Sequence, residues 1–187
     1  MDPVMPKRFN IAGPCIPNRH YLLPVIARLP EARLLAKQGD YFVIHAARQS
    51  GKTTFLHALT DEINAEGQFY ALHCSLEELQ GITDMTLGIY SIVDGIQMAM
   101  EYSPMANLRA NANQPKVANA TPTTLVRRGL TQLCIGLDKP PSIFFDEVDC
   151  LSGQALITFL RQLRDGYNNR ARIPFPWSIA LVGMRDI

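Results

Sequence analysis

The residues of this chain that could do chemistry together fall in two short runs, Ala46-Ala47-Arg48-Gln49-Ser50-Gly51-Lys52-Thr53-Thr54 and Phe145-Asp146-Glu147. The first follows the pattern G-x-x-x-x-G-K-[ST] except at its opening position, where Ala46 stands for glycine. That pattern suits the gripping of phosphates. Gly51 lacks the Cβ that would obstruct a close approach of the backbone to an oxyanion. Amides entering a helix at Lys52, Thr53 and Thr54 have no intrahelical partner, and the helix dipole favours negative charge there. Lys52 can reach the β- and γ-phosphates of a nucleotide, and the Thr53 hydroxyl can complete the coordination of magnesium. Ala47, Arg48, Gln49 and Ser50 supply the loop between. Alanine is admissible at position 46 where φ is negative.

A chance Ser-Gly-Lys-Thr on a surface turn would look the same in isolation. Context argues against chance. An apolar strand precedes the loop, and a helix with Phe55, Leu56, Leu59 and Ile63 on one face follows it. The second run, Ser142-Ile143-Phe144-Phe145-Asp146-Glu147, is a short apolar strand ending in two carboxylates. Asp146 at a strand's carboxyl end suits the holding of magnesium through its water shell. Glu147 suits a base that orients water for attack on a γ-phosphate. An acidic turn capping the next helix is the alternative for the pair taken alone. Together with the Lys52 loop the two carboxylates read as a magnesium–nucleotide site.

Those residues must be positioned by a core, and the chain is long enough to build one. Its 187 residues are 47% hydrophobic, enough for one ordinary domain. A net charge of +1 gives the whole domain no electrostatic footprint for nucleic acid. The densest basic stretch, Arg161, Arg164, Arg170 and Arg172, reads as a solvated helix face and its following loop. Cys15, Cys74, Cys134 and Cys150 lack metal or disulfide spacing, and Cys74 and Cys134 read as small core residues. The histidines His20, His45, His57 and His73 show no ligand spacing either. No apolar run approaches membrane-spanning length and no secretory leader pattern opens the chain, so a cytoplasmic protein without membrane contact is expected.

Residues 1–40 read as a proline-rich N-terminal segment, irregular through 29, followed by a short helix from about Pro30 to Gly39 with Ala32, Leu34 and Leu35 inward. Residues 41–187 read as the nucleotide-binding domain. Strands are expected at 41–46, 69–74, 142–145 and 178–183, apolar on both faces as parallel strands covered by helices are. The helix after the loop should stop at Gly67. Ile82, Met85, Ile89, Ile92, Val93, Ile96 and Met100 predict a longer helix, in which Gly88 and Gly95 either permit close packing or weaken it. The segment 103–123 has no period. Thr121-Pro122 then reads as N-cap and first helical residue, with Val126, Leu130, Leu133 and Leu137 as the stripe and Pro140-Pro141 as the stop. A helix carrying Leu156, Phe159, Leu160 and Leu163 should end at Gly166. Strands alternating with helices predict a three-layer α/β/α core with a mostly parallel sheet and the site at the strands' carboxyl ends.

The Lys52 loop, the run Phe145-Asp146-Glu147-Val148-Asp149 and the run Leu181-Val182-Gly183-Met184-Arg185-Asp186 together resemble the P-loop ATPases with an additional catalytic glutamate. Within that group the chain is similar to AAA-like ATPases of the signal-transducing (STAND) type, relatives of the origin-recognition ATPases. The resemblance implies ATP and Mg2+ as ligands. It implies that the strand ending at Gly183 lies between those of the Lys52 loop and Asp146. It also implies that Arg185 senses the γ-phosphate, although a solvent-facing arginine after a strand fits the same residues. Tyr21 either stacks on the base or packs on the domain's rim. The family continues into a fifth strand and a helical lid, so this chain reads as truncated before that lid, an N-terminal fragment.

Three functions follow as expectations. The first is hydrolysis of ATP to drive a conformational switch, with Lys52, Glu147 and Arg185 catalytic, the loop 47–54 binding, and Thr53 and Asp146 on the metal. The second is a nucleotide-binding scaffold without turnover that works through a protein partner or self-association. The third is a DNA-associated ATPase of the replication or transposition-helper type, raised by the resemblance and lowered by the near-neutral charge. No Asn-Lys-x-Asp segment marks guanine recognition.

Overall fold

Four parallel strands in the order β1-β4-β3-β2 form the centre of the fold, seen in a computed structural model that describes residues 6–11, 15–16, 18–21, 29–103 and 120–184. They are β1 (Tyr41–His45), β2 (Tyr70–Ser75), β3 (Pro141–Asp146) and β4 (Ser178–Gly183). The sheet is all-parallel among the described residues, and the strand ending at Gly183 does lie between those of the Lys52 loop and Asp146. The register Ile44↔Val182, Phe145↔Leu181 and Ser75↔Asp146 brings all four carboxyl ends to one rim.

Helices cover both faces. On one, α1 (Pro30–Gln38) and α2 (Lys52–Glu66) pack Ala32, Ala36, Phe55, Leu56, Leu59 and Ile63 onto Ala71, Phe144, Ala180 and Val182. On the other, α3 (Met85–Glu101), α4 (Pro122–Ile135) and α5 (Gly153–Asn169) enclose Ile143, Phe145 and Ile179. Alternation along β3 sends Phe144 to the first layer and Ile143 and Phe145 to the second, and every residue of that strand is buried. This is the three-layer α/β/α core with a parallel sheet that the strand–helix alternation predicts.

Several boundaries move. β1 ends at His45 rather than 46, and β2 is shifted one residue to 70–75. In α1 the inward pair is Ala32 and Ala36, spaced one turn apart, which leaves Leu34 exposed and Leu35 half-buried. Small side chains there let the helix lie close to β4 and β1. Helix α4 stops at Ile135 with Gly136 as its cap, and Pro141 opens β3 instead of ending a helix. A proline is admissible as first residue of a strand because it needs no ladder amide there. Cys74 is buried, while Cys134 is only partly so. Gly88 and Gly95 serve close packing, against Ala155 Cβ and against Cys74 Sγ with the Ser75 carbonyl. The Asn-, Ala- and Pro-rich stretch 104–119 lies outside the described residues.

Gly166 does not end its helix. Helix α5 runs on through Gly166 to Asn169, and the Phe175 ring lies directly over Gly166, leaving no room for a side chain. A Cβ at Gly166 would overlap three carbons of that ring. Alanine would gain about 1 kcal/mol of helix propensity, against overpacking that costs about 1–3 kcal/mol. Gly166→Ala is therefore expected to destabilise the fold by about 1 kcal/mol, read as a lower urea midpoint, and Phe175→Leu in the same chain should relieve it.

β2 is the outer strand of the sheet among the described residues, and a side chain closes its edge locally. Asn64 of α2 donates to the Ala71 carbonyl at 3.0 Å and accepts from the Ala71 amide at 2.9 Å, taking the place of a neighbouring strand. The Arg170 guanidinium of the basic stretch is structural. It donates to the Gly39 and Trp177 carbonyls at 2.6 and 3.2 Å and sits over the Tyr167 ring.

Candidate functional site

The loop from Ala46 to Gly51 joins β1 to α2 at the carboxyl rim. Gly51 has φ 86° and Gln49 φ 56°, so the chain makes a left-handed turn at two positions before the helix starts. Glycine takes that region without strain, and Gln49 takes it at a cost. Ala46 is not among the residues with positive φ, which is why alanine serves where the pattern has glycine. Among the described residues no side chain caps α2 at Gly51, and the first amides of a helix have no intrahelical partner of their own.

Lys52 folds back on this loop. Its Nζ donates to the Ala46 and Ala47 carbonyls at 2.9 and 3.0 Å. One residue on, the Thr53 hydroxyl donates to Oδ2 of Asp146 at 2.7 Å, linking positions 93 residues apart. Ala47, Arg48 and Gln49 are exposed around the turn, and Ser50 is partly buried. A cavity of about 170 Å³ opens beside them, lined by Ala46, Gly51 and Lys52 with Leu29, Phe55 and Val182. The Thr54 hydroxyl accepts the Cys15 amide at 3.3 Å, which ties the N-terminal segment to the start of α2.

Asp146 is 1% exposed. Burial alone would raise its pKa, but hydrogen bonds from His73 and Thr53, the His73 charge and the Glu147 amide outweigh it and hold the carboxyl below its ordinary range. Glu147 follows in the left-handed region at φ 57° and ψ 39°, and its amide donates to Oδ1 of Asp146 at 3.0 Å. Partial burial and the neighbouring charges of Asp146 and Asp149 push the Glu147 carboxyl up, against the pull of Lys52. One carboxylate is thus kept ionised and the other shifted toward basicity, a division of roles used by sites that pair a metal ligand with a proton acceptor.

Lys52, Thr53, Asp146 and Glu147 are brought together. Arg185 lies outside the described residues, but the residue before it does not. Met184 is held on both sides, its amide donating to Oδ1 of Asp149 at 3.2 Å and its carbonyl contacting Nε2 of His45. Tyr21 packs on Phe9 and is exposed. Sequence reasoning missed His73, whose Nε2 lies 3.4 Å from Oδ2 of Asp146, and His57, whose ring packs at a 48° tilt against that of His73 with centroids 4.5 Å apart. Burial first, and then the charge of His73, lower the pKa of His57. Among the described residues no cluster of three or more His, Cys, Asp and Glu could hold a metal. No helix of the described residues is long and apolar enough to cross a membrane.

The fold and the rim geometry define an α/β core of the P-loop type. No protein-family model and no curated protein matches the chain. Solved structures do. The ORC2 protein of Aeropyrum pernix, solved in ADPNP–ADP complexes, is similar at TM-score 0.51 and 14% identity, over 94% of this chain and 43% of that one. The ORC1 protein of the same organism, solved in complex with DNA, gives TM-score 0.48 and 13% identity over 86% of this chain and 38% of that one. The chain spans about two-fifths of the length of both, and at 14% identity the likeness to ORC2 is one of fold alone.

Proposed function

We propose that this chain binds ATP with magnesium and hydrolyses it to drive a conformational switch. The observation that carries the reading is the Thr53–Asp146 hydrogen bond of 2.7 Å, formed beside a lysine loop and next to a second carboxylate. A hydroxyl and a buried carboxylate side by side are hard oxygen donors of the kind magnesium takes, with few protein ligands and the rest from phosphates and water. Bound there, the ion would neutralise charge on the phosphates.

Each residue has a task. Lys52 exchanges the Ala46 and Ala47 carbonyls for phosphate oxygens, so its present contacts keep the cation in place until ligand arrives. The amides of Gly51 to Thr54 hold the same oxygens without reorganisation. Glu147 accepts the proton of a water that attacks the γ-phosphorus, and ADP leaves with inorganic phosphate as the other product. Arg185, the cation the sequence offers after β4, would stabilise charge developing on the γ-phosphate. The similarity in fold to a protein solved in ADPNP–ADP complexes supports an adenine nucleotide as ligand.

Thermal unfolding with magnesium and ATP, ADP or GTP tests this. Ligand at a hundred times its Kd adds about 2.7 kcal/mol, which for a domain of this size raises Tm by about 5–10 °C. Adenine nucleotides should produce the shift in the wild-type chain, and Lys52→Ala should abolish it. No shift with any nucleotide would overturn the reading. A shift without release of inorganic phosphate would replace the hydrolytic switch by a nucleotide-binding scaffold.

A further inference from the structure

Thr53 and His57 stand one helical turn apart on α2, and Asp146 and His73 stand on the neighbouring strands β3 and β2. The register Ser75↔Asp146 and His73↔Phe144 sets His73 two positions before the level of the aspartate, and the two side chains share the sheet face that α2 covers. Two contacts therefore run side by side between helix and sheet, Thr53 to Asp146 and His57 to His73. The 3.4 Å contact from His73 Nε2 to Asp146 Oδ2 joins them.

An ionised carboxylate has only acceptor atoms and about four lone-pair positions. The described hydrogen bonds occupy three of them. Oδ2 takes Thr53 at 2.7 Å and His73 at 3.4 Å, and Oδ1 takes the Glu147 amide at 3.0 Å. The shared hydrogen with the imidazole must then sit on Nε2. One position, on Oδ1, is left for a cation or a water of its shell. At 3.4 Å the histidine bond is long and adds little to fold stability. What it adds is a second contact on Oδ2 from a neighbouring strand, where Thr53 reaches the same atom from α2, so that rotation of the carboxylate about its Cβ–Cγ bond would break both.

We infer that His73 is a positioning residue for magnesium, fixing the Asp146 carboxylate so that its remaining lone pair is presented to the ion, with the tilted His57 ring packed against the imidazole to limit its movement. This rests on the reading of Asp146 as a magnesium ligand. Partners that orient metal-binding carboxylates typically change metal affinity by about 10–100-fold when removed, and the length of this bond places the effect near about 10-fold.

The test is a magnesium titration of the full chain at a fixed concentration of a fluorescent ADP analogue, with a parallel arm in EDTA. His73→Phe keeps a planar aromatic ring against His57, slightly larger than imidazole, and removes the donor, while His73→Gln keeps an N–H near the Nε2 position. The magnesium midpoint should rise about 10-fold in His73→Phe and return toward the wild-type value in His73→Gln, with the EDTA affinities equal in all three. If His73→Phe does not fold, His73→Ala takes its place against the same Gln rescue. An unchanged midpoint in the donor-less variant overturns the inference, and so does an equal loss of binding with and without magnesium, which would make His73 a packing residue. A wild-type chain that binds the analogue with no response to magnesium overturns the reading of Asp146 and the inference with it. Wild-type magnesium dependence with an insensitive His73→Phe overturns the inference alone.

Discussion

Glu147→Gln is expected to lower the turnover of ATP by about 10²–10⁴-fold while nucleotide binding stays within the wild-type range. The size follows from removing the proton acceptor and leaving every group that holds phosphate. Among the described hydrogen bonds none uses the Glu147 carboxylate, whereas its backbone amide, which braces Asp146, survives the substitution. The isosteric amide also preserves the left-handed turn at φ 57°. Phosphate release measured beside binding of a fluorescent ATP analogue separates the two effects, and loss of both would remove Glu147 from the role of base. The pH profile gives a second readout. Partial burial and the charges of Asp146 and Asp149 raise the Glu147 pKa, and the base acts only when ionised. Turnover should therefore fall, as pH is lowered, above the range in which an ordinary glutamate titrates. Glu147→Gly would lose turnover equally and gain stability, because a non-glycine residue in this region stores about 1 kcal/mol or more of strain.

The phosphate loop was legible because its physics is local. Gly51, Lys52 and Thr53 act through backbone conformation and helix ends, which neighbouring residues dictate, and the apolar strand before them marks the context. The sheet order was legible only through resemblance, since nothing in the spacing of the four strands says that β4 inserts between β1 and β3. His73 was not legible. It lies 73 residues from Asp146 in sequence, and a strand buried on both faces has no alternation to say which way each side chain points. Only the parallel register of β2 on β3 brings the two together, and register is a tertiary property. Gly166 misled for the opposite reason. Glycine is the usual residue just past a helix end, but here the Phe175 ring covers the backbone and removes the room a side chain would need. In α1 a nine-residue helix offers two candidate inward faces, and contact with the sheet selects the one with two alanines.

Phe159→Ala is expected to cost about 3–5 kcal/mol, the largest stability change foreseen for a residue outside the site. Phe159 is fully buried on α5, and its ring meets that of Phe145 edge-on, with centroids 5.1 Å apart and planes at 84°. Truncation loses both the transfer of an aromatic ring from water and the contacts of the cavity lining. For a domain whose total stability is about 5–15 kcal/mol, that loss leaves a marginal fold, read as a large drop in the urea midpoint at constant slope. A cycle with Phe145→Leu should return a coupling of about 0.5–1.5 kcal/mol, the share that belongs to the edge-on pair itself. Phe145 immediately precedes Asp146, so a loosened ring could in principle disturb the aspartate. The sheet argues against it. β3 is hydrogen-bonded to β2 on one side and to β4 on the other, and its register is held along Ser142 to Phe145 without help from α5. Nucleotide affinity of the folded Phe159→Ala chain should therefore match the wild type, measured well below its lowered midpoint. A parallel loss of affinity would mean that α5, and not the strand ladder, sets where the Asp146 carboxylate stands.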